Sequence, residues 1–278
     1  MLGECGSIAI VMKKGSGSAL EVAARIYEKI KSLGGEAFLA LESNTDTSLS
    51  IPKASLLEQR ACRVIVIGGD GTFLRAVRIL KGRAPAMMLV GVGRRCFYYD
   101  VSASEALRYI EDFMRGRYVI QHYPYIAVEV NGISDGGFIN ETVIAGNHMK
   151  VVKLEVTIGS QRPYEVHGDG IIVATSAGST AYSLSAGGPI VDQELDSLIV
   201  VPLNPVQLSV RPIVTSLLKR IRVHVSEDTS CRPRLIVDGE LYRELEPGSS
   251  VTFRFSGTTV RVARFKKVRV HERLLGKA

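Results

Sequence analysis

The sequence predicts an α/β domain built on a doubly wound parallel sheet, followed by a β-rich second domain. Three observations carry that expectation. Short apolar runs alternate with helix-period segments over roughly the first hundred residues. One run, Val64-Ile65-Val66-Ile67, ends in the glycine-rich turn Gly68-Gly69-Asp70-Gly71-Thr72 and passes at once into helical spacing. From Val119 onward the texture changes to period-two alternation, as in half-buried strands.

Taken in order, Ser7–Met12 (SIAIVM) reads as the first strand and Lys13–Ser18 as a loop. Leu20, Val22, Ala23, Ile26, Ile30 and Leu33 follow helical spacing, and Gly34-Gly35 closes that helix. Ala37–Leu41 is a second strand and Ser55–Arg60 a further helical piece. The Val64 strand and its helix follow, then Pro85–Val92 as a fourth strand of the same sheet. Such a domain binds ligands outside the carboxyl ends of its strands. Ser102–Arg115 is a helix of alternating charge, after which Asn131-Gly132 marks a hairpin turn behind Val119–Val130. Gly136–Ile144, Val151–Ile158, Tyr164–Val166, Gly170–Ala174, Arg220–Val225, Arg234–Val237, Val251–Phe255 and Thr259–Phe265 are further strands. The expected division is an α/β nucleotide-binding domain 1–100, which the segment 251–278 can complete, and a β-rich domain 101–250.

With 46% hydrophobic and 23% charged residues, the composition is that of a soluble globular protein. No apolar run approaches the ~20 residues that a membrane-spanning helix needs, and the amino-terminal stretch lacks a signal-peptide pattern. A cytoplasmic location and no membrane partner are therefore expected. Cys5, Cys62, Cys96 and Cys231 lie far apart, which reads as reduced thiols with neither a metal site nor a disulfide framework. Ser250–Ala278 carries eight Lys/Arg against Glu272, so this tail accounts for the whole net charge of +7. No aromatic interleaving or DNA-reading motif accompanies it, which favours a solvated face over a nucleic-acid surface.

A strand, a glycine-rich turn and a helix start make a phosphate cradle, with Gly68, Gly69 and Thr72 as its contacts. The carboxylate of Asp70 within it is unusual for an anion site. It suits phosphoryl transfer, which needs a group to accept a hydroxyl proton or to help hold Mg²⁺. A plain tight turn is the alternative. The second distinctive stretch is HGDGIIVATSAGSTAYSLSAGGPI, His167–Ile190, whose small and hydroxyl side chains let a ribose or flat ring approach the backbone. A small-residue helix packed on the sheet is the other reading. Asn140-Glu141 reads as adjacent strand positions facing opposite ways, and Asp238-Gly239-Glu240 reads as a hairpin turn without a functional role.

Together, GGDGT at Gly68–Thr72, Asn140-Glu141 and the long block at His167–Ile190 resemble the NAD kinase family, as do LSVRPIV at Leu208–Val214 and VDGE at Val237–Glu240. The resemblance implies phosphorylation of the 2′-hydroxyl of the adenosine ribose of NAD, with ATP or polyphosphate as donor and Mg²⁺ required. It also implies a homodimer or homotetramer. Asp70 matches the family's proposed base, Asn140 and Glu141 the pair that contacts NAD, and Asp169 the carboxylate near the nicotinamide end. Thr180, Ala181 and Tyr182 match positions lining the dinucleotide, and Gly71 and Ser185 count with them as substrate-binding residues. Two departures stand out. The family's Gly-x-Asn-x-Gly-x-Leu-Gly-Phe loop is replaced by GVGRRCFYYD at Gly91–Asp100, where Gly93 takes the asparagine's place and Arg94-Arg95 bring guanidinium groups suited to phosphates. In the family's TPTGSTAY, Ser176 and Ala177 replace the proline and a hydroxyl residue. A non-catalytic nucleotide-binding regulator and a lipid or sugar kinase sharing only GGDGT are the competing readings.

Overall fold

The structure, a computed structural model, describes residues 6–43, 50–59, 61–93, 96–147 and 150–266. Its elements begin with β1 (Ile8–Met12), α1 (Gly17–Ser32), β2 (Ala37–Ala40), β3 (Lys53–Ala54), β4 (Arg63–Gly68), α2 (Asp70–Leu80), β5 (Ala86–Gly91), β6 (Val101–Ser102) and α3 (Ala106–Met114). There follow β7 (Val119–Val130), β8 (Ile133–Phe138), β9 (Glu141–Ala145), β10 (Val152–Ile158), β11 (Tyr164–Gly168), β12 (Gly170–Thr175) and α4 (Tyr182–Ser185). The last described elements are β13 (Ser197–Leu203), β14 (Ile213–Ser216), β15 (Ile221–Val225), β16 (Arg234–Val237), β17 (Glu240–Glu244) and β18 (Ser250–Arg264). Two compact units result: one takes the described residues up to Tyr123 and from Thr259 on, the other is Pro124–Thr258. Helix α3 groups with the first unit because it packs on α1.

The first unit holds parallel strands in the order β18-β5-β4-β1-β2-β3. Ile8, Ile10, Met12, Ile65, Ile67, Met88 and Val90 pack with α1 and α3 on one face. The alternate residues Ala9, Val11, Val64, Val66, Met87 and Leu89 are buried as well, and α2 packs on β4 and β1. Burial on both faces is why these strands read as continuous apolar runs. Two expectations need correction here. The expected helical piece Ser55–Arg60 is only a turn over Leu56–Glu58, tethered where the Glu42 carboxylate accepts the Leu56 N–H at 3.0 Å and the Ser55 hydroxyl at 2.7 Å; Arg60 lies outside the described residues. Cys62 is disulfide-bonded, whereas Cys96 and Cys231 form no disulfide.

The second unit is a sandwich of antiparallel sheets. In one, β10 runs between β11 and β15, and β15 pairs β18; β7 and β8 form the hairpin at Asn131-Gly132, whose φ of 51° and 80° suit a primed turn. The other has the order β14-β13-β12-β9-β16-β17. Inward residues of both, among them Ile126, Val156, Val173, Val200, Leu235 and Phe253, form one core. The expected strand Gly136–Ile144 is broken: the chain bends at Ile139-Asn140, leaving β8 in the first sheet and β9 in the second. The two expected closing strands are a single one, β18, and β13 is a fully buried strand that the sequence reading did not identify.

Arg254 and Lys266 from the basic segment lie in ion pairs with Glu129 and Glu105. Arg264 is buried. It donates to the Asp100 carboxylate at 3.1 Å, the Tyr98 carbonyl at 2.5 Å and the Tyr123 hydroxyl at 2.7 Å, while Asp100 accepts the Phe265 N–H at 2.9 Å. With side-chain exposures of 7% and 1%, neither charge can fall back on water. Urea unfolding of Arg264→Ala should show a loss of about 3–5 kcal/mol; a loss below about 1 kcal/mol would mean that this pair does not anchor β18.

Candidate functional site

The sequence-selected residues gather at two places, one in each unit. In the first, β4 ends at Gly68, Gly69 is the N-cap of α2, and Asp70, Gly71 and Thr72 form its first turn. A side chain at Gly68 would run into Thr72, so only glycine lets the strand fold directly into the helix. Gly71 faces open space, and Thr72 is buried with its N–H on the Gly69 carbonyl. The half-buried Asp70 carboxylate accepts the N–H of Phe97 at 3.0 Å and of Tyr98 at 3.1 Å, one on each oxygen. The Tyr99 hydroxyl donates to the Gly69 carbonyl at 2.8 Å. Asp70 is therefore oriented by the loop after β5, not by its own turn. Each carboxylate oxygen keeps acceptor capacity beyond the one N–H it takes. Arg94 and Arg95 lie outside the described residues.

In the second unit, Asn140 sits in the bend before β9 and Glu141 opens that strand. Both are buried, at 8% and 7% exposure. The opposite-face argument does not apply, because Asn140 is not a strand residue. The carboxylate of Asp238 holds this segment by accepting three consecutive N–H groups, from Ile139 at 3.1 Å, Asn140 at 2.9 Å and Glu141 at 3.2 Å. Asp238 itself turns at φ 46° between β16 and β17, and its N–H returns to the Glu141 carbonyl. From the other side, the Thr175 hydroxyl donates to the Ile139 carbonyl and accepts the Gly178 N–H, while the Thr175 N–H donates to the Asn140 carbonyl.

The block after β12 is a 3₁₀ turn, Ala177–Thr180, followed by the short α4. Ala177, Gly178, Ser179 and Ser183 are buried, and Ser179 bridges the Ser176 carbonyl and the Val191 N–H. A Cβ at Gly178 would overlap the Asn140 carbonyl, so this glycine permits close packing against Asn140. Those residues follow the packed-helix reading. Thr180 and Ala181 are half-buried, and Tyr182 and Ser185 are exposed, so the residues singled out for ligand contact are the outward ones. Asp169 lies between β11 and β12, where it accepts 2.7 Å from the Asn204 amide. Sequence reasoning missed Asn204 and gave Asp238 no functional role, though its Asp-Gly turn was visible, while Thr175 lies in the hydroxyl-rich block but was not singled out within it.

Burial and the neighbouring Asp238 charge push the Glu141 carboxyl up to about 8, and its Oε2 has no partner. Among the described residues no three His, Cys, Asp or Glu side chains gather to hold a metal ion, and no helix is long and apolar enough to cross a membrane.

Two family models cover the chain: the ATP-NAD kinase N-terminal domain over residues 8–118 and the ATP-NAD kinase C-terminal domain over residues 139–265. An NAD kinase of Aeropyrum pernix is 35% identical over 94% of this chain and 93% of its own length. One of Methanopyrus kandleri is 34% identical over 85% of each. Among solved structures, yeast NADH kinase complexed with NADH superposes with a TM-score of 0.86 at 20% identity, covering 99% of this chain and 88% of its own. An NAD kinase from Archaeoglobus fulgidus in complex with ATP gives 0.74 at 24% identity, covering 98% of both.

Glu141 ionises near 4.5 in the unfolded chain but near 8 in the folded one, so folding takes up a proton between those values. Stability should therefore fall as pH rises from about 4.5 and level off above about 8. Glu141→Gln should match the wild type at pH 4 and exceed it at pH 8 by on the order of a few kcal/mol, measured by denaturant unfolding. Equal stability of the two proteins at pH 8 would contradict a buried neutral acid. Gly178→Ala should cost about 1–3 kcal/mol through the Asn140 overlap; an unchanged Tm would show that the turn yields without strain.

Proposed function

This chain belongs to the NAD kinase family and phosphorylates NAD to NADP, and on that premise we propose how its residues divide the work. The phosphoryl group passes from ATP, or polyphosphate, to the 2′-hydroxyl of the adenosine ribose. Asp70 accepts the hydroxyl proton as the bond to phosphorus forms. The observation that supports this role most is the pair of N–H bonds from Phe97 and Tyr98, which fix the carboxylate plane at the carboxyl end of β4. A base so held meets the acceptor hydroxyl in one orientation, which general-base catalysis requires. Gly68, Gly69 and Thr72 present backbone to the donor phosphates at the start of α2, and Arg94 and Arg95 neutralise phosphate charge.

Asn140 and Glu141 contact NAD, Asp169 accepts a hydrogen bond from its carboxamide, and Gly71, Thr180, Ala181, Tyr182 and Ser185 line the dinucleotide. Mg²⁺ would be held mainly by the substrate phosphates, a mode that needs at most one or two protein carboxylates; the carboxylate at hand in the glycine-rich turn is Asp70, whose first role here is that of base. The ion, when bound, offsets phosphate charge. The protein works in the cytoplasm as a homodimer or homotetramer. Val206, Leu208, Ile213, Val214 and Leu218, all exposed apolar residues in one stretch of the second unit, support contact with a second copy.

Incubation with NAD, ATP and Mg²⁺ tests the reading through NADP formation. Asp70→Asn should lower kcat by roughly 10²–10⁴-fold, as for loss of a general base, with NAD affinity nearly unchanged by calorimetry. A raised Mg²⁺ requirement that excess metal rescues would make Asp70 a metal ligand instead. Near-native kcat would refute both roles.

A further inference from the structure

Glu141 and Asp238 are two carboxyl groups in one buried place, and they differ in what surrounds them. Asp238 accepts three backbone N–H groups, the Glu141 N–H among them. Glu141 is 7% exposed, and its Oε2 meets no donor. Two neighbouring buried carboxyls do not both ionise, and the one richer in N–H donors keeps the charge. That one is Asp238. The proton is left on Glu141, which makes its side chain a donor as well as an acceptor.

We propose that Glu141 engages NAD as a neutral carboxylic acid, and that Asp238 is the positioning residue that keeps it neutral and fixes its backbone. NAD affinity is then lost as pH rises and Glu141 ionises. The inference rests on the reading that Asn140 and Glu141 contact NAD. A neutral acid also adds no charge to a site that must admit the pyrophosphate of the dinucleotide.

The surroundings agree. On one side β12 lies opposite, with Ala174 facing Glu141, and Gly170–Thr175 contains no ionisable residue. On the other side β16 brings Arg234 only at the far end of β9, opposite Ala145. From β17, Glu240, Arg243 and Glu244 are exposed, and Tyr242 and Asp238 both act on Tyr125 of β7. Burial and those charges hold the Tyr125 phenol at about 12, neutral throughout the range that matters, and its hydroxyl is buried without a partner. Burial and Asp238 likewise raise the Glu141 carboxyl to about 8.

Calorimetric titration of the full-length protein with NAD between pH 6.5 and 9.5 tests this. The wild-type Kd should stay level to about pH 8 and then rise roughly tenfold per pH unit. Glu141→Gln, which copies the shape of the protonated acid, should give a flat profile and bind NAD more tightly than wild type at pH 9.5. Asp238→Asn, if folded, should move the wild-type break to lower pH. A wild-type Kd indifferent to pH, with Glu141→Gln weakened as much as Glu141→Ala, would mean that Glu141 binds as an anion; the protonation inference then fails while the NAD contact stands. Wild-type affinity in Glu141→Ala would overturn both.

Discussion

The β-rich second unit depends on one carboxylate at its sheet bend. Asp238 satisfies three successive buried N–H groups where the chain bends between β8 and the first residue of β9. Left unpaired, each would cost about 1–3 kcal/mol, so without Asp238 the bend at Ile139-Asn140 has no reason to persist. The bend in turn gives the Thr175 hydroxyl and N–H their acceptors. It also provides the carbonyl over which Gly178 packs. Because Ala177, Gly178 and Ser179 face inward on that support, Thr180, Tyr182 and Ser185 are turned outward. A single turn residue thus sets which side chains of the long motif face outward.

The first unit uses the same device. Asp70 sits beside a glycine, as Asp238 does, and its carboxylate also accepts neighbouring N–H groups from a loop distant in sequence. In both cases a short acid fixes backbone that neither helix nor sheet would hold. The chemistry differs because the surroundings differ. Asp70 is half-buried beside Gly71, which faces open space. Asp238 is buried beside a second carboxyl and acts through it.

Much of this was legible in the sequence. Val64–Ile67 read as a buried parallel strand because both its faces are covered, and Asn131-Gly132 read as a hairpin because few other pairs take positive φ twice. The glycine-rich turn, the Asn-Glu pair and the small-residue block were all visible as motifs. What stayed hidden was long-range pairing. The break of Gly136–Ile144 carries no proline or turn dipeptide at Ile139-Asn140 to mark it, and the reason for the bend lies about a hundred residues away at Asp238. The disulfide of Cys62 is likewise a tertiary feature that the wide cysteine spacing does not encode. Strand β13 was passed over as a continuous apolar run without alternation, and Ser55–Arg60 looked helical because its tether to Glu42 is a tertiary contact.

Amide hydrogen exchange at Ile139, Asn140 and Glu141, followed by NMR in the wild type and in Asp238→Ala, tests the central role of Asp238 most directly. The three amides should exchange in the wild type as slowly as the core of β12, and in the variant at least about tenfold faster, the loss of one or more net hydrogen bonds each, while β12 itself stays protected. Unchanged protection at all three in the folded variant would show that the bend stands without Asp238, and would contradict the account.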